Sequence, residues 1–304
     1  MESEFVPWLR NRVPSHPRLD LGIGDDAAVL SLPSQHCVVT SDMLMDGVDF
    51  VLSECDPRRV GRKALAVNLS DLAAMAAEPV AAIVSIAVPN DAAVDLPKAI
   101  YEGLLELAAE FGVALAGGDT NIWRHPLAIS VTAIGEPTAG GVLKRSGARA
   151  GDAILATGEF GGSILGRHFD FTPRVREALT LHERYNLHAA MDVSDGLSLD
   201  LSRLAGESGC GAVIDGSAVP ISDDARRLAE ERPDAGSPLD HALSDGEDFE
   251  LILAVDSASA SQVLADQSIG VPVTKIGEFV VPQGLWIRSD KGDRQPLTPR
   301  GYEH

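Results

Sequence analysis

The sequence predicts an α+β protein of two domains, each a mixed sheet carrying helices. Three observations lead there. Strand-like and helix-like stretches are interleaved through both halves, without the strict alternation that builds a doubly wound parallel sheet. The 304 residues suffice for two cores of ordinary size. A glycine-rich basic connection, Gly140-Gly141 through Gly151-Asp152 with Lys144, Arg145 and Arg149, interrupts the pattern near the middle and places the domains at 1–139 and 140–304.

Residues 1–20 read as a short amphipathic start and a Pro/Arg-rich approach to Leu21-Gly-Ile-Gly-Asp-Asp-Ala-Ala-Val-Leu30. His36–Thr40 reads as a strand ending at Ser41-Asp42. Asp56-Pro57 starts a helix, a capping carboxylate before a proline at the first helical position. Val60, Ala64, Val67, Leu72 and Met75 continue one face of it towards Ala77, with Asn68 and Asp71 one turn apart. Glu78-Pro79 is expected to stop that helix, and Val80–Val88, with little alternation, reads as a strand buried on both faces. Asp95–Phe111 is the clearest helix: Ile100, Leu104, Leu107 and Phe111 form its stripe, and Gly112 suits its C-cap. Val113–Ala116 leads into a Gly117-Gly118-Asp119-Thr120 turn, and Leu127–Ile134 is a strand.

The second half restarts with the strand Ala153–Thr157 and a glycine-rich turn over 158–162. His168–Tyr185 reads as irregular and polar. Ala189–Val193 is a strand reaching Ser194-Asp195-Gly196, followed by a helix with Leu197, Leu201, Leu204 and Ala205 on one face. A short strand at 212–214, a helix at 222–231 and the strand Phe249–Val255 come next. A final helix–strand pair, with Val271–Glu278 and Leu285–Arg288, closes the sheet.

The formal charge is −20, from 45 acids against 25 bases. Nucleic acid and anionic membrane surfaces are therefore not expected as partners, because neither is attracted without a basic patch. Three scattered cysteines, Cys37, Cys55 and Cys210, suit a reducing cytoplasm, and no Cys/His spacing suggests zinc. No signal segment and no apolar run long enough for a membrane span are read from the chain.

The chemistry lies in a recurring form: an apolar stretch, one or two small residues, then Asp. It occurs at Asp26, Asp42, Asp71, Asp119, Asp192 and Asp195, with Thr40 and Ser41 as further oxygen donors. Gly22-x-Gly24-x-x-Ala27 also fits a dinucleotide fingerprint, but Asp25 and Asp26 occupy the turn where a pyrophosphate would lie. Like charges about 4 Å apart repel by roughly 4 kcal/mol at an effective dielectric of 20, and a divalent cation reverses that sign. Single Asp residues on separate loops suit several Mg²⁺ ions, each held by one or two carboxylates plus substrate phosphates. We therefore expect the tips to converge on one Mg²⁺–polyphosphate site. P-loop, protein-kinase, EF-hand and nucleophile-elbow patterns are absent, and His182 and His188 have the wrong spacing for zinc and are expected to be solvated. Two alternatives stay open: a related ATP-dependent enzyme acting on another small substrate, or a non-catalytic acidic metal-binding protein.

Read together, Gly22-Ile-Gly-Asp-Asp-Ala-Ala, Thr40-Ser-Asp-Met-Leu, Ala66-Val-Asn-Leu-Ser-Asp-Leu-Ala-Ala-Met, Gly117-Gly-Asp-Thr, Arg145-Ser-Gly-Ala-Arg-Ala-Gly-Asp, Met191-Asp-Val-Ser-Asp-Gly-Leu, Gly246-Glu-Asp-Phe-Glu-Leu and Gly301-Tyr-Glu-His resemble the thiamine-monophosphate kinase family, within the aminoimidazole ribonucleotide synthetase-like superfamily. The resemblance implies a two-domain α+β fold, a homodimer formed by the N-terminal domain, ATP as co-substrate and thiamine monophosphate as acceptor. It implies Mg²⁺ ligands at Asp26, Thr40, Ser41, Asp42, Asp71, Asp119, Asp192 and Asp195. ATP contacts would come from Tyr101, Gly118, Asp119, Arg145 and Ser194, and substrate contacts from Asp49, Glu247 and Tyr302. Catalysis would rest on Asp71, Asp119 and Arg145. Two positions depart from the family: Asp49 stands where a His is usual, and Asp245 where a Gly is frequent.

Overall fold

The computed structural model describes residues 2–23, 27–289 and 292–302. The chain forms two compact units, one of Met1–Leu72 and Ala77–Pro137, the other of Ala73–Ala76 and Thr138–His304. Each carries a mixed sheet with helices, so the expected α+β class holds.

In the first unit the order is α1 (Glu2–Arg12), β1 (Leu19–Leu21), β2 (Val29–Leu30), β3 (Val38–Met45), α2 (Pro57–Ala74), β4 (Ala77–Pro89), α3 (Asp95–Phe111), β5 (Ala114–Trp123) and β6 (Ala128–Pro137). β1 and β2 form a small antiparallel pair; the other four strands make a sheet in the order β3-β6-β4-β5, with β4 parallel to β5 and antiparallel to β6. Helix α3 has its expected bounds and ends on Gly112 at φ 65, the left-handed cap that glycine adopts without a Cβ penalty. α2 and α3 touch backbone to backbone: a Cβ on Gly61 would stand 1.8 Å from the Ile100 carbonyl oxygen, and one on Gly103 1.9 Å from that of Arg58.

Three expectations for this unit are corrected. Helix α2 ends at Ala74, and Glu78-Pro79 lies inside β4 instead of terminating the helix. β4 tolerates the proline because pairing with β5 starts only at Ala81 and the β6 register is irregular between Pro79 and Ala81. Gly117-Gly118-Asp119-Thr120 is not a turn but the middle of β5, and Ser41-Asp42 is not a strand end but the middle of β3.

The second unit runs β7 (Ala153–Thr157), α4 (Arg167–Asp170), α5 (Val175–Arg184), β8 (Leu187–Asp192), α6 (Leu197–Glu207), β9 (Gly211–Asp215), α7 (Asp223–Glu231), α8 (Pro238–Ser244), β10 (Leu251–Val255), α9 (Ser257–Asp266), β11 (Val273–Val280), β12 (Gly284–Arg288) and β13 (Arg294–Pro296). Its seven-stranded sheet has the order β13-β12-β9-β11-β7-β10-β8, antiparallel throughout except for β9–β12. Ile154, Met191, Leu201, Leu204 and Ile252 belong to its core, and all four expected α6 stripe residues are buried. The stretch read as irregular, 168–185, is largely helical: Val175, Ala178 and Leu181 bury one narrow face of α5. No helix among the described residues is long and apolar enough to cross a membrane.

Candidate functional site

In the first unit, β3 alternates its side chains between two faces. Thr40 and Asp42 share the face of buried Leu44, whereas Val39, Ser41 and Met43 point to the more exposed side. On the first face the Thr40 hydroxyl donates to the Asp71 carboxylate, which α2 supplies. The Asp42 carboxyl is pushed from 3.8 up to about 6, by burial first and then by the charges of Asp71 and Asp49. Asp42 and Asp71 are thus brought together; Ser41 is turned away, its hydroxyl 2.9 Å from that of Thr132. Asp49 is engaged locally: its carboxylate accepts the Met45 amide at 2.7 Å, and its carbonyl accepts from Nζ of buried Lys63.

β5 places Gly118 opposite Val84 and Asp119 opposite Ser85. No side chain fits at Gly118, where a Cβ would lie 1.8 Å from the Val84 carbonyl oxygen. Asp119 is exposed. Tyr101 is buried in the core, edge-on to Phe5 at 5.1 Å, with its hydroxyl 3.5 Å from the Val84 carbonyl. Burial and the Asp119 charge both raise its phenol pKa. Asp26, with Asp25, lies outside the described residues.

The donor set suits a hard cation. It is all oxygen, and burial beside other carboxylates makes Asp42 reluctant to ionise unless positive charge arrives. Among the described residues no three His, Cys, Asp or Glu side chains are already closed into a cage. Mg²⁺ does not require one, because waters and phosphate oxygens complete its shell.

In the second unit, Asp192 ends β8, buried, opposite Leu251. The loop that follows is tightly tied. Asp200, buried on α6, accepts the amides of Asp195 and Gly196 at 2.9 and 3.2 Å, and Arg203 bonds both Asp195 and Asp200. Burial, reinforced by Asp195, pushes the Asp200 carboxyl up to about 6. The Ser194 carbonyl accepts the Glu247 amide at 2.6 Å, and the Asp195 carbonyl accepts the Tyr302 amide at 2.9 Å. Ser194, Asp195, Glu247 and Tyr302 are therefore neighbours, although they come from three distant parts of the chain. Arg145 is exposed on the connection, its carbonyl bonded by Ser208 Oγ at 2.6 Å.

The acidic segment after α8 is anchored residue by residue. Glu247 adopts φ 53, a left-handed conformation costly for a non-glycine residue, and its carboxylate lies 3.2 Å from Nδ1 of buried His168. Asp248 is buried against the Gly161 amide and Arg167, and burial holds its carboxyl well above the usual range. Glu250 is gripped by Arg174 and by Thr157 Oγ1. Asp245 accepts the Gly162 amide at 2.9 Å and sits 3.0 Å from His241 Nδ1. The expectation of solvated histidines is also corrected. His188 Nδ1 is 2.8 Å from Asp152 Oδ2 with its side chain only 10% exposed, and His182 Nε2 is buried.

Asp200, Arg203, His168, Arg167 and Arg174 were not singled out from the sequence. The signal for Asp200 is a carboxylate among apolar α6 positions; His168 and Arg174 fall in the segment misread as irregular, and Arg167 immediately precedes it. Among the described residues the acids also differ in setting from the loop tips expected: Asp42 and Asp119 are within strands, Asp71 within a helix, and Asp192 and Asp195 at a strand end and in a loop.

Residues 24–136 match the family model of the AIR synthase related protein N-terminal domain, and residues 142–287 that of the C-terminal domain. A curated thiamine-monophosphate kinase of Rhodopirellula baltica is 42% identical over 315 residues, covering 100% of this chain and 97% of the relative. The crystal structure of thiamine-monophosphate kinase from Stenotrophomonas maltophilia K279a aligns with a TM-score of 0.80 at 35% identity, covering 96% and 97% of the two chains. AaThiL complexed with AMPPCP and TMP aligns with a TM-score of 0.78 at 27% identity, covering 93% and 91%.

Proposed function

Because the chain belongs to the thiamine-monophosphate kinase family, we propose that it transfers the γ-phosphoryl group of ATP to thiamine monophosphate, giving ADP and thiamine diphosphate. The observation that carries this reading is the full-length 42% identity, which spans every motif named above. The likeness to AaThiL complexed with AMPPCP and TMP supports a nucleotide and an acceptor as its two ligands.

The acceptor is a phosphate oxygen that is already anionic, so the transfer needs in-line positioning and charge neutralisation more than a base or a covalent nucleophile. In this reading Asp26, Thr40, Ser41, Asp42, Asp71, Asp119, Asp192 and Asp195 hold Mg²⁺, with Ser41 contributing its carbonyl because its hydroxyl is turned to Thr132. When bound, Mg²⁺ supplies the positive charge that lets carboxylates and polyphosphate share one site. Tyr101, Gly118, Asp119, Arg145 and Ser194 serve ATP; Gly118 does so by leaving backbone bare, and Arg145 by offering a planar, permanently charged fork. Glu247 and Tyr302 serve the thiamine side. Asp49, tied to the Met45 amide, shapes the 45–50 turn beside Asp42 and reaches substrate only from there. Asp71, Asp119 and Arg145 are the residues on which the rate depends most.

The side of the four-stranded sheet that carries Val39 (57% exposed), Met43 (59%) and Met45 (40%) supports a homodimer built on the first unit, since such an apolar face calls for cover. Three free cysteines support a reducing, cytoplasmic setting. The test is direct. The protein is incubated with ATP, Mg²⁺ and thiamine monophosphate, and thiamine diphosphate is followed. Absence of product alongside tight AMPPCP binding would remove the named acceptor; absence of Mg²⁺-dependent nucleotide binding would remove the kinase reading altogether.

A further inference from the structure

Two consecutive backbone carbonyls carry two of the residues assigned to the acceptor: Ser194 O receives the Glu247 amide and Asp195 O the Tyr302 amide. The fit leaves no slack. A Cβ on Gly246 would stand 2.8 Å from the Ser194 carbonyl oxygen, and one on Gly301 2.2 Å from that of Asp195 and 3.0 Å from Leu199 Cβ. Asp200 and Arg203 immobilise the loop itself, so the element that needs holding is the tail. Beside the Tyr302–Asp195 bond, one side-chain hydroxyl grips it. Ser198, 1% exposed in the first turn of α6, donates to the Arg300 carbonyl at 2.8 Å and accepts from the Arg300 amide at 3.0 Å. A hydroxyl can do both at once, and gripping N–H and C=O of one residue fixes that residue's rotation as well as its distance.

We infer that Ser198 is a positioning residue for the acceptor, clamping residues 300–302 onto the Ser194-Asp195 loop and thereby setting where Tyr302 stands relative to Glu247. The inference rests on the assignment of Glu247 and Tyr302 to the thiamine side. Ser198 works through Arg300, and what it governs is acceptor affinity, not the phosphoryl transfer step.

The experiment compares wild type and Ser198→Ala as full chains. Loss of the paired hydrogen bonds should raise KM for thiamine monophosphate about five- to tenfold, leave kcat within about twofold, and leave calorimetric AMPPCP affinity within about twofold. Amide exchange at Tyr302 should accelerate in parallel. In a Tyr302→Ala background the Ser198→Ala change should add nothing further. Faster exchange with unchanged KM for thiamine monophosphate overturns the inference. So does an equal loss of nucleotide affinity, or an additive effect in the double variant. A wild-type chain that makes no thiamine diphosphate fails the acceptor assignment and the inference with it, while the exchange rate still reports whether the clamp itself exists.

Discussion

Replacing Asp42 by Asn should make the metal-free protein more stable while disabling it. In the folded chain the Asp42 carboxyl titrates near 6 instead of 3.8, because burial, Asp71 and Asp49 all oppose its charge. A rise of about two pH units corresponds to about 3 kcal/mol, an upper bound on what the ionised carboxylate costs the fold above pH 6. The sign follows from proton linkage. Above pH 6 Asp42 is ionised in both folded and unfolded chains, so wild type bears the full cost. As pH falls from 6 towards 3.8 the folded chain binds the proton first, the cost fades, and the advantage of Asn fades with it. Urea unfolding in EDTA at pH 7.5 and at pH 4.5 measures the difference. We expect Asp42→Asn to gain up to about 3 kcal/mol at the higher pH and well under half of that at the lower. Calorimetric Mg²⁺-dependent AMPPCP binding should fall at the same time. A variant no more stable than wild type at pH 7.5, or an advantage that does not shrink with pH, would refute the view that this carboxylate is held in wait for a cation.

Three further outcomes are expected. Asp71→Asn keeps the Thr40 contact as a neutral hydrogen bond, so the melting temperature should hold while kcat falls by about a hundredfold or more; full activity would remove Asp71 from the machinery. Arg174→Met strands the buried Glu250 carboxylate and should cost about 3–5 kcal/mol by urea unfolding, most of it restored when Glu250→Gln is added. Gly103→Ala drives a Cβ to 1.9 Å from the Arg58 carbonyl oxygen, forces α2 and α3 apart, and should cost about 3 kcal/mol or more; a neutral effect would show that the helix pair can separate freely.

Local signals decided what was legible in the sequence. α3 could be read residue by residue because a four-member apolar stripe and a glycine cap agree, strongly enough to outweigh the internal Gly103. β4 could be located from its apolar run, but its expected burial on both faces does not hold: exposed Ile83 and Ser85 alternate with buried Ala82, Val84, Ile86 and Val88, so one face of the strand is open. α5 could not: its stripe is only Val175, Ala178 and Leu181 among arginines and glutamates, a face too narrow to stand out without the sheet it packs on. β5 was hidden by Gly117-Gly118, a pair that looks locally like a turn, although the bareness of Gly118 is required by the Val84 carbonyl of β4, a long-range cause. For the site, the acidic residues were visible as types. The partners that orient them, Asp200, Arg203 and His168, were not, because each acts across several residues or across elements.

Four acids fall within Asp245–Glu250 of a chain already at −20, yet they do not behave as a block of like charge. Glu247 and Phe249 both take left-handed backbone conformations, and this zigzag sends each neighbouring carboxylate to a different cation or donor. Asp245 goes to Gly162 and His241, Glu247 to His168, Asp248 to Gly161 and Arg167, and Glu250 to Arg174. The segment is a set of separately compensated parcels, and buried pairs of this kind are screened far less than exposed charges. Added salt should therefore leave this wall of the second unit almost unmoved while it weakens the exposed Arg12–Glu102 and Arg58–Glu106 pairs of the first.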